Sequence, residues 1–417
     1  MPAHNRKRIV LTLPLAFSLT AHANDQASAN GFVQDAKASI LLRNAYYNRD
    51  YKDNIHDNRV WGQGFIGKYE SGFTQGTVGV GVDAYGLFGV RLDGGKGSNM
   101  PSFFVTDSQG HPVDELSEAG GAVKFRVSNT VLRHGTQFPL IPVLSYSDNR
   151  LLPQAFTGTL LTSKEIDGLE LNAGHFTADS SRGSAAQDSN RLKSTDFFGG
   201  SYKVNELLSV SLYHSDVEDQ YKKWYANTNL VMPLAKEQSL AFDFNIYRTK
   251  YADGATSAIA MGGDGNNNRN TLWSLAATYN IGAHAFTLSH QRNTGDTGYA
   301  YDFGDGGAIW VANSLYSDFN LNDERSWMAS YDYNFAAVGL PGLSYKFAYA
   351  RGSNIVAGDT SDGVEREIFN QLKYVVQSGS AKDLALRVRS SIYRADNQVG
   401  PDMNEVRVFV EYPIKLF

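Results

Sequence analysis

A two-residue alternation of apolar with polar or small side chains runs through this sequence and limits the folds open to it. It is plainest in residues 239–247, where Leu240, Phe242, Phe244 and Ile246 alternate with Ala241, Asp243, Asn245 and Tyr247. The same period returns in 78–84, 326–335 and 406–412. A period of two is that of a β-strand with one apolar face. The chain is therefore predicted to be all-β.

The connections between these strands are alternately short and long. Short ones are predicted at 232–238, 280–284, 340–343 and 378–383, and long ones rich in Gly, Asn, Asp and Ser at 98–121, 179–196, 251–270, 292–308 and 350–367. A soluble β-sandwich also alternates, but it would have to hide every apolar face in a core about 10 Å thick. Alternating short and long connections are typical of an antiparallel outer-membrane barrel. Strands of about 10 residues predict about 16 to 20 of them in this chain.

The first 23 residues have the pattern of a secretory signal peptide. A basic group at 6–8 precedes an apolar run at 9–19, and Ala21-His22-Ala23 forms a small-x-small cleavage site. The alternative, a membrane-anchoring N-terminal helix, is less well supported because the run is shorter than the roughly 20 residues that span a bilayer. Residues 24–417 are then one barrel domain.

One region interrupts the strand pattern. Residues 128–158 contain Pro139, Pro142 and Pro153, and proline is confined to edges and bulges of sheets. Residues on either side alternate well. We therefore predict that 128–158 is a loop folded into the barrel, which narrows an aqueous channel.

Enzymatic chemistry has little support in the sequence. The chain has no cysteine and nine histidines without H-E-x-x-H spacing, and no serine lies in a G-x-S-x-G elbow. We assign no catalytic residue, no metal and no cofactor. The net charge of −5 argues against nucleic acid as a partner. A barrel enzyme, such as a lipase or protease, and a surface adhesin remain as alternatives.

Arginines near the C terminus lie on the polar faces of predicted strands. Arg387 and Arg389 alternate with Leu386 and Val388, and Arg407 alternates with a row of valines. An arginine on the lipid face near the bilayer midplane would cost about 2–4 kcal/mol, so these side chains are expected to face water inside the barrel. They either attract anions or form structural salt bridges. The candidates in these strands are Lys373, Arg387, Arg389 and Arg407.

Several blocks in order resemble one family over nearly the whole chain after residue 23. They are 31–35, 42–50, 69–77, 119–126, 171–177, 242–249, 373–379 and 404–413. The sequence resembles the OprD-type outer-membrane channels of pseudomonads and relatives, also called the Occ family of carboxylate channels. The resemblance implies a barrel of about 18 strands whose third extracellular loop folds inward.

The resemblance also implies a ladder of basic side chains along which a substrate carboxylate moves. Carried over by local motif, this ladder consists of Arg49, Arg59, Lys373, Arg387, Arg389 and Arg407. Further candidates are Arg126 and Arg150, and the opposing acidic face is assigned to Asp302 and Asp305.

The expected function is passive, selective diffusion of small carboxylate-bearing nutrients across the outer membrane of a Gram-negative bacterium. The expected partners are those small carboxylates, outer-membrane lipid and lipopolysaccharide, and the barrel-assembly machinery during biogenesis. The last residue, Phe417, is only a partial signal for that machinery, because Lys415, Pro413 and Glu411 occupy the alternate positions where apolar residues are usual.

Overall fold

The computed structural model describes residues 26–52, 55–93, 100, 102–301 and 309–417. Extended strands dominate, with one short helix, α1 (Thr256–Ala260), and two 3-10 turns, Gln26–Ser28 and Phe335–Val338. The strands are β1 (Lys37–Tyr51), β2 (Asn58–Glu70), β3 (Gly79–Arg91), β4 (Glu115–Val127), β5 (Thr130–Gln137), β6 (Leu140–Ile141), β7 (Leu144–Ser145), β8 (Ala155–Ile166), β9 (Leu169–Ser180), β10 (Thr195–Lys203), β11 (Leu208–Val217), β12 (Tyr221–Pro233), β13 (Gln238–Tyr251), β14 (Arg269–Ile281), β15 (His284–Gly295), β16 (Arg325–Asn334), β17 (Leu343–Ala357), β18 (Thr360–Val375), β19 (Ala385–Ala395) and β20 (Met403–Lys415).

Eighteen of these strands form one closed antiparallel barrel. Each pairs with its neighbours in the chain, β5 pairs directly with β8, and β1 pairs with both β2 and β20, which closes the sheet. The predicted all-β barrel of about 18 strands is confirmed. Strands β6 and β7 form a separate small hairpin inside the connection between β5 and β8. None of the helices among the described residues is long and apolar enough to cross a membrane.

The predicted alternation separates the two faces of the wall. On β13, Asn245 and Tyr247 are buried inside, while the apolar row of Phe244 and its neighbours faces outward. Large apolar side chains on the outer face stay exposed all around the barrel, among them Phe65, Phe125, Leu161, Leu212, Leu288, Trp327, Leu372 and Leu386. An exposed apolar belt of this kind fits a wall that faces lipid.

The two ends of the barrel differ in the length of their connections. The predicted short connections are confirmed and lie at one end. The long connections join strands at the other end, at 92–114, 138–154, 181–194, 252–268 and 296–324. Residues 115–121 and 292–295, which were predicted as parts of long connections, belong to β4 and β15. The long connection predicted at 350–367 is wrong. There β17 and β18 continue through register shifts to a tight turn at Gly358, whose φ of 56° is in the left-handed region. This hairpin is rich in glycine and polar residues, as long loops are, so composition alone did not distinguish it from a loop.

The inward loop predicted at 128–158 is too wide at both ends. Thr130–Gln137 is a barrel strand that pairs with β4 and β8, and β8 begins at Ala155. Residues 138–154, which we call loop 3, contain all three prolines of the predicted segment. Loop 3 contacts the inner wall, where Tyr247 donates a 3.1 Å hydrogen bond to the carbonyl of Pro142. The prolines therefore located the loop, and strand pairing set its limits.

Glycines on the inner wall of β2 and β3 leave room for loop 3. The side chains of Leu151 and Leu152 are buried against this wall. A Cβ atom added to Gly64 would lie 3.0 Å from the Leu151 carbonyl oxygen and 3.3 Å from the Leu152 side chain. A Cβ on Gly62 would lie 2.8 Å from Leu151. Loop 3 packs this closely because both positions lack a side chain.

Replacing Gly64 with valine should displace loop 3 and destabilise the barrel by about 1–3 kcal/mol through overpacking. The measurement is the free energy of unfolding in detergent. The folded fraction is read from the fast-migrating band of the folded barrel in electrophoresis. Gly86→Val is the matched control, because a Cβ there meets nothing within 4 Å. Equal stability of the two variants would contradict the tight seat of loop 3.

Candidate functional site

Inward-facing arginines lie side by side on three adjacent strands, β19, β20 and β1. Arg389 is the direct cross-strand partner of Arg407, and Arg387 lies one inward position further along β19. Arg49 on β1 is opposite Glu405 on β20. The sequence prediction that these four arginines face the barrel interior agrees with the buried rows of the three strands.

Glu405 lies between two of these arginines. Its Oε2 accepts a 2.7 Å hydrogen bond from Nε of Arg49, and its Oε1 accepts one from Nε of Arg407. The guanidinium of Arg407 also lies 4.9 Å from the centre of the Tyr47 ring. Two arginines thus share one carboxylate, so this group of three side chains carries a net positive charge.

A second bridge connects the wall to loop 3 through Arg43 on β1. Its Nε donates to Glu411 at 2.7 Å, and its Nη1 donates to Asp148 of loop 3 at 2.7 Å and to the Arg150 carbonyl at 3.1 Å. Nη2 of Arg387 lies 4.0 Å from Glu411. Arg43 is not among the residues predicted from the sequence. Its position six residues before Arg49 puts both on the same strand face, a signal that could have found it.

Loop 3 adds a further guanidinium, that of Arg150. Its Nε donates a 3.2 Å hydrogen bond to the Ser102 hydroxyl, and the group lies 5.3 Å from the Tyr47 ring centre. Burial, together with the positive charge of Arg407 and other nearby arginines, lowers the pKa of Arg150 to about 10. The group remains charged at neutral pH. Arg150 therefore brings positive charge from loop 3 to the arginines of the wall.

The segment 309–324 closes over the same arginines from another side. The Tyr316 ring centre lies 5.0 Å from the guanidinium of Arg49, and the Leu315 carbonyl accepts a hydrogen bond from Arg389 at 3.5 Å. Backbone amides of Tyr316 and Ser317 donate to Glu367 on β18. The wall, loop 3 and this segment thus meet at one level inside the barrel.

We call the six guanidinium groups that meet here the arginine cluster; its members are Arg43, Arg49, Arg150, Arg387, Arg389 and Arg407. Within the described part of the chain, its ion pairs involve three carboxylates, Asp148, Glu405 and Glu411. In the same part of the chain, Nε of Arg387 and Nε of Arg389 have no hydrogen-bond partner. Counted over the described residues, the six guanidinium groups of the cluster outnumber the carboxylates that pair with them.

Two other candidates from the sequence lie inside the barrel but outside the cluster. Lys373 is exposed on the inward row of β18, as the cross-strand partner of Arg387. Arg126 lies near the end with short turns, where it donates a 2.8 Å hydrogen bond to Gln26 and stacks 4.3 Å from the Phe73 ring. Lys373 thus continues the line of cations past the cluster, while Arg126 belongs to a separate group.

The prediction for Arg59 is wrong. The inward row of β2 contains Val60 and Gly62, so Arg59 falls on the outward row with the exposed Trp61. It pairs with Asp93 at 2.9 Å on the outer surface. The candidates Asp302 and Asp305 lie outside the described residues. Over the ranges that the structure describes, no group of three or more His, Cys, Asp or Glu residues could hold a metal ion.

The comparisons with known proteins agree with this geometry. The family model described as "outer membrane porin, OprD family" matches residues 30–416. The chain belongs to the OprD family. It is 44% identical to Porin D of Pseudomonas aeruginosa over 95% of this chain and 94% of that protein.

Crystal structures of this family superpose closely on the barrel. Acinetobacter baumannii OccAB1 gives a TM-score of 0.90 at 39% identity and covers 94% of this chain and 99% of its own. Pseudomonas aeruginosa OpdK, solved with vanillate, gives 0.84 at 34% identity and covers 92% and 100%. This OprD-family chain is a substrate-selective porin of the outer membrane. It is a channel and not an enzyme, and neither the enzyme nor the adhesin alternative is supported.

Proposed function

We propose that this porin selects small molecules that carry a carboxylate, and that the arginine cluster selects them. The single observation that carries this proposal is the surplus of guanidinium groups where loop 3 meets the wall. Arginine matches a carboxylate with two parallel hydrogen bonds. The Arg387 side chain keeps 31% of its surface exposed and lies 4.0 Å from Glu411, so its guanidinium can meet a solute. OpdK was crystallised with vanillate, which is a carboxylate.

The same cluster supplies a reason for release. Glu405 and Glu411 compete with a passing carboxylate for Arg407, Arg49 and Arg43, which keeps each encounter weak. A solute moves on when the next cation is near, because conduction needs several shallow sites in series. Lys373 is the proposed next site beyond Arg387. Passive diffusion down a gradient then needs no energy source.

Liposomes containing the porin should admit a small carboxylate faster than its amide analogue, by about fivefold or more, because only the acid meets the charge of the cluster. The measurement is swelling rate over a panel of acids and their amides, including aromatic, dicarboxylic and amino acids. A neutral sugar of similar size controls for pore width. Equal rates for every acid and its amide would contradict carboxylate selection.

We also propose membrane partners for the outer face. The exposed apolar belt fits outer-membrane lipid and lipopolysaccharide around the barrel. Phe417 lies just beyond β20 with 70% of its surface exposed, and we propose that the barrel-assembly machinery contacts this side chain. Deleting Phe417 should slow assembly, measured as the folded fraction in the outer membrane.

The signal peptide at 1–23 stays a prediction, since those residues lie outside the described ranges.

A further inference from the structure

The outer face of the barrel carries a row of exposed cations at the end with long loops. The row crosses seven neighbouring strands, β12 to β18, and every member points away from the pore on the outward side of its strand. We call it the outer basic stripe; its members are Lys222, Arg248, Lys250, Arg269, Arg292, Arg325, Arg351 and Arg366.

The strand register sets like charges directly beside each other in this stripe. The cross-strand partners are Lys222 with Lys250, Lys250 with Arg269, Arg292 with Arg325, and Arg351 with Arg366. Like charges directly opposite on one face of a sheet are destabilising. Four such pairs in one row destabilise the isolated barrel through charge repulsion. An external anion bound to the row would reduce this repulsion.

Few protein groups balance this charge. Lys222 pairs with Asp216 at 2.7 Å, and Arg325 donates a 2.7 Å hydrogen bond to Asn354. The other six side chains make no ion pair and no hydrogen bond with the residues that the structure describes. The stripe therefore presents about six uncompensated cations in a chain whose net charge is −5.

Large apolar and aromatic side chains lie next to the stripe on the lipid-facing wall. Three tryptophans are cross-strand partners of stripe arginines: Trp224 of Arg248, Trp273 of Arg292, and Trp327 of Arg351. Further from the loops on the same face, Leu275 and Leu288 are exposed. Tryptophan marks the interface between headgroups and acyl chains, so the stripe lies at headgroup level.

Among the residues that the structure describes, outward cations on the remaining strands have acidic partners. Arg394 on β19, the cross-strand partner of Arg366, lies 3.5 Å from Asp402. Lys52 pairs with Asp50 at 2.6 Å, and Arg59 pairs with Asp93 at 2.9 Å. Farther around, the outward position of β10 is an acid, Asp196, paired with His175 at 2.8 Å. The charge is therefore confined to one side of the barrel.

We propose that the outer basic stripe binds the phosphate groups of lipopolysaccharide in the outer leaflet, with the acyl chains against the neighbouring tryptophans and the exposed leucines further from the loops. Arginine is suited to phosphate because its planar guanidinium donates two hydrogen bonds at once. The inference rests on the proposed contact with lipopolysaccharide and assigns that contact to one side of the wall. It does not depend on what passes through the pore.

The test is native mass spectrometry of the detergent-solubilised barrel titrated with bisphosphorylated lipid A. Arg292→Gln/Arg351→Gln/Arg366→Gln should weaken binding at least about tenfold, because each cation near an anionic lipid surface contributes to its attraction. The matched control is Lys52→Gln/Arg59→Gln/Arg191→Gln, which removes three cations on the long-loop side outside the stripe. It should bind within about twofold of the unmodified barrel, since it leaves the stripe intact.

Each remaining arm of the experiment has a defined consequence. Dephosphorylated lipid A should bind the unmodified barrel about as weakly as bisphosphorylated lipid A binds the stripe variant, and free inorganic phosphate should not compete at equal concentration. Equal lipid A binding by the stripe variant and the control would overturn the assignment while leaving lipopolysaccharide as a partner. No lipid A binding by the unmodified barrel would overturn both. A dimer of barrels lost only in the stripe variant, without a change in lipid binding, would assign the stripe to a second copy instead.

Discussion

Removing Arg387 and Arg389 together is expected to lower carboxylate permeation by about tenfold and to shift the pore toward cations. These two arginines supply the donors that lack partners among the described residues. Their loss leaves Glu411 with Arg43 alone, while Glu405 keeps Arg49 and Arg407. The acidic groups then contribute more to the local field, and a carboxylate meets two guanidinium groups fewer.

The double alanine variant should still fold. Arg389 makes no ion pair with the described residues, Arg387 is 4.0 Å from Glu411, and the outward Leu386 and Val388 are unchanged. Reversal potential in asymmetric salt and the folded fraction are measured on the same sample. The matched control is Arg351→Ala/Arg366→Ala, which removes a cross-strand arginine pair from the outer face of nearby strands. Unaltered selectivity in a well-folded variant would remove Arg387 and Arg389 from the permeation path.

A second large effect is expected from Arg43→Met, which removes the ion pair between the wall and loop 3. Asp148 loses its ion pair, and the carbonyl of Arg150 loses its donor. Loop 3 should move from the pore, raising single-channel conductance about twofold or more and weakening selectivity, since constriction and charge set both. Asp148 is 39% exposed and Glu411 is 22% exposed, so water screens the acids that lose Arg43 and the cost should lie below the roughly 3–5 kcal/mol of a fully buried pair. The barrel should still unfold more easily.

Two further variants separate the loss of the link from the loss of charge. Lys346→Met is the control. Lys346 also faces the lumen, but its ion pair is with Asp332 on the wall, at 3.4 Å, and does not involve loop 3. Arg43→Met/Glu411→Gln removes the wall acid that Arg43→Met leaves with Arg387 alone, 4.0 Å away, and should regain part of the stability while conductance stays high. A conductance unchanged by Arg43→Met would show that the loop is held without this arginine.

The architecture could be predicted from the residue pattern because the information that specifies it is local. Alternation with a period of two marks strands wherever they pair, and lipid on one side requires the apolar face to point outward. The same rule places Arg387, Arg389 and Arg407 inside, since an arginine in lipid is costly. It also applies to Arg59: Trp61 shares its face, and counting the period there would have excluded it from the pore.

The tertiary structure alone decided which residues meet. Arg43 contacts Asp148, 105 positions away, and Glu411, 368 positions away. Those contacts exist because β1 pairs with β20 to close the barrel and because loop 3 folds onto glycines of β2 and β3. The limits of loop 3 depend likewise on the pairing of Thr130–Gln137 with both neighbours. Barrel closure and loop packing bring distant segments into contact, and a periodic pattern along the chain gives no information about such contacts.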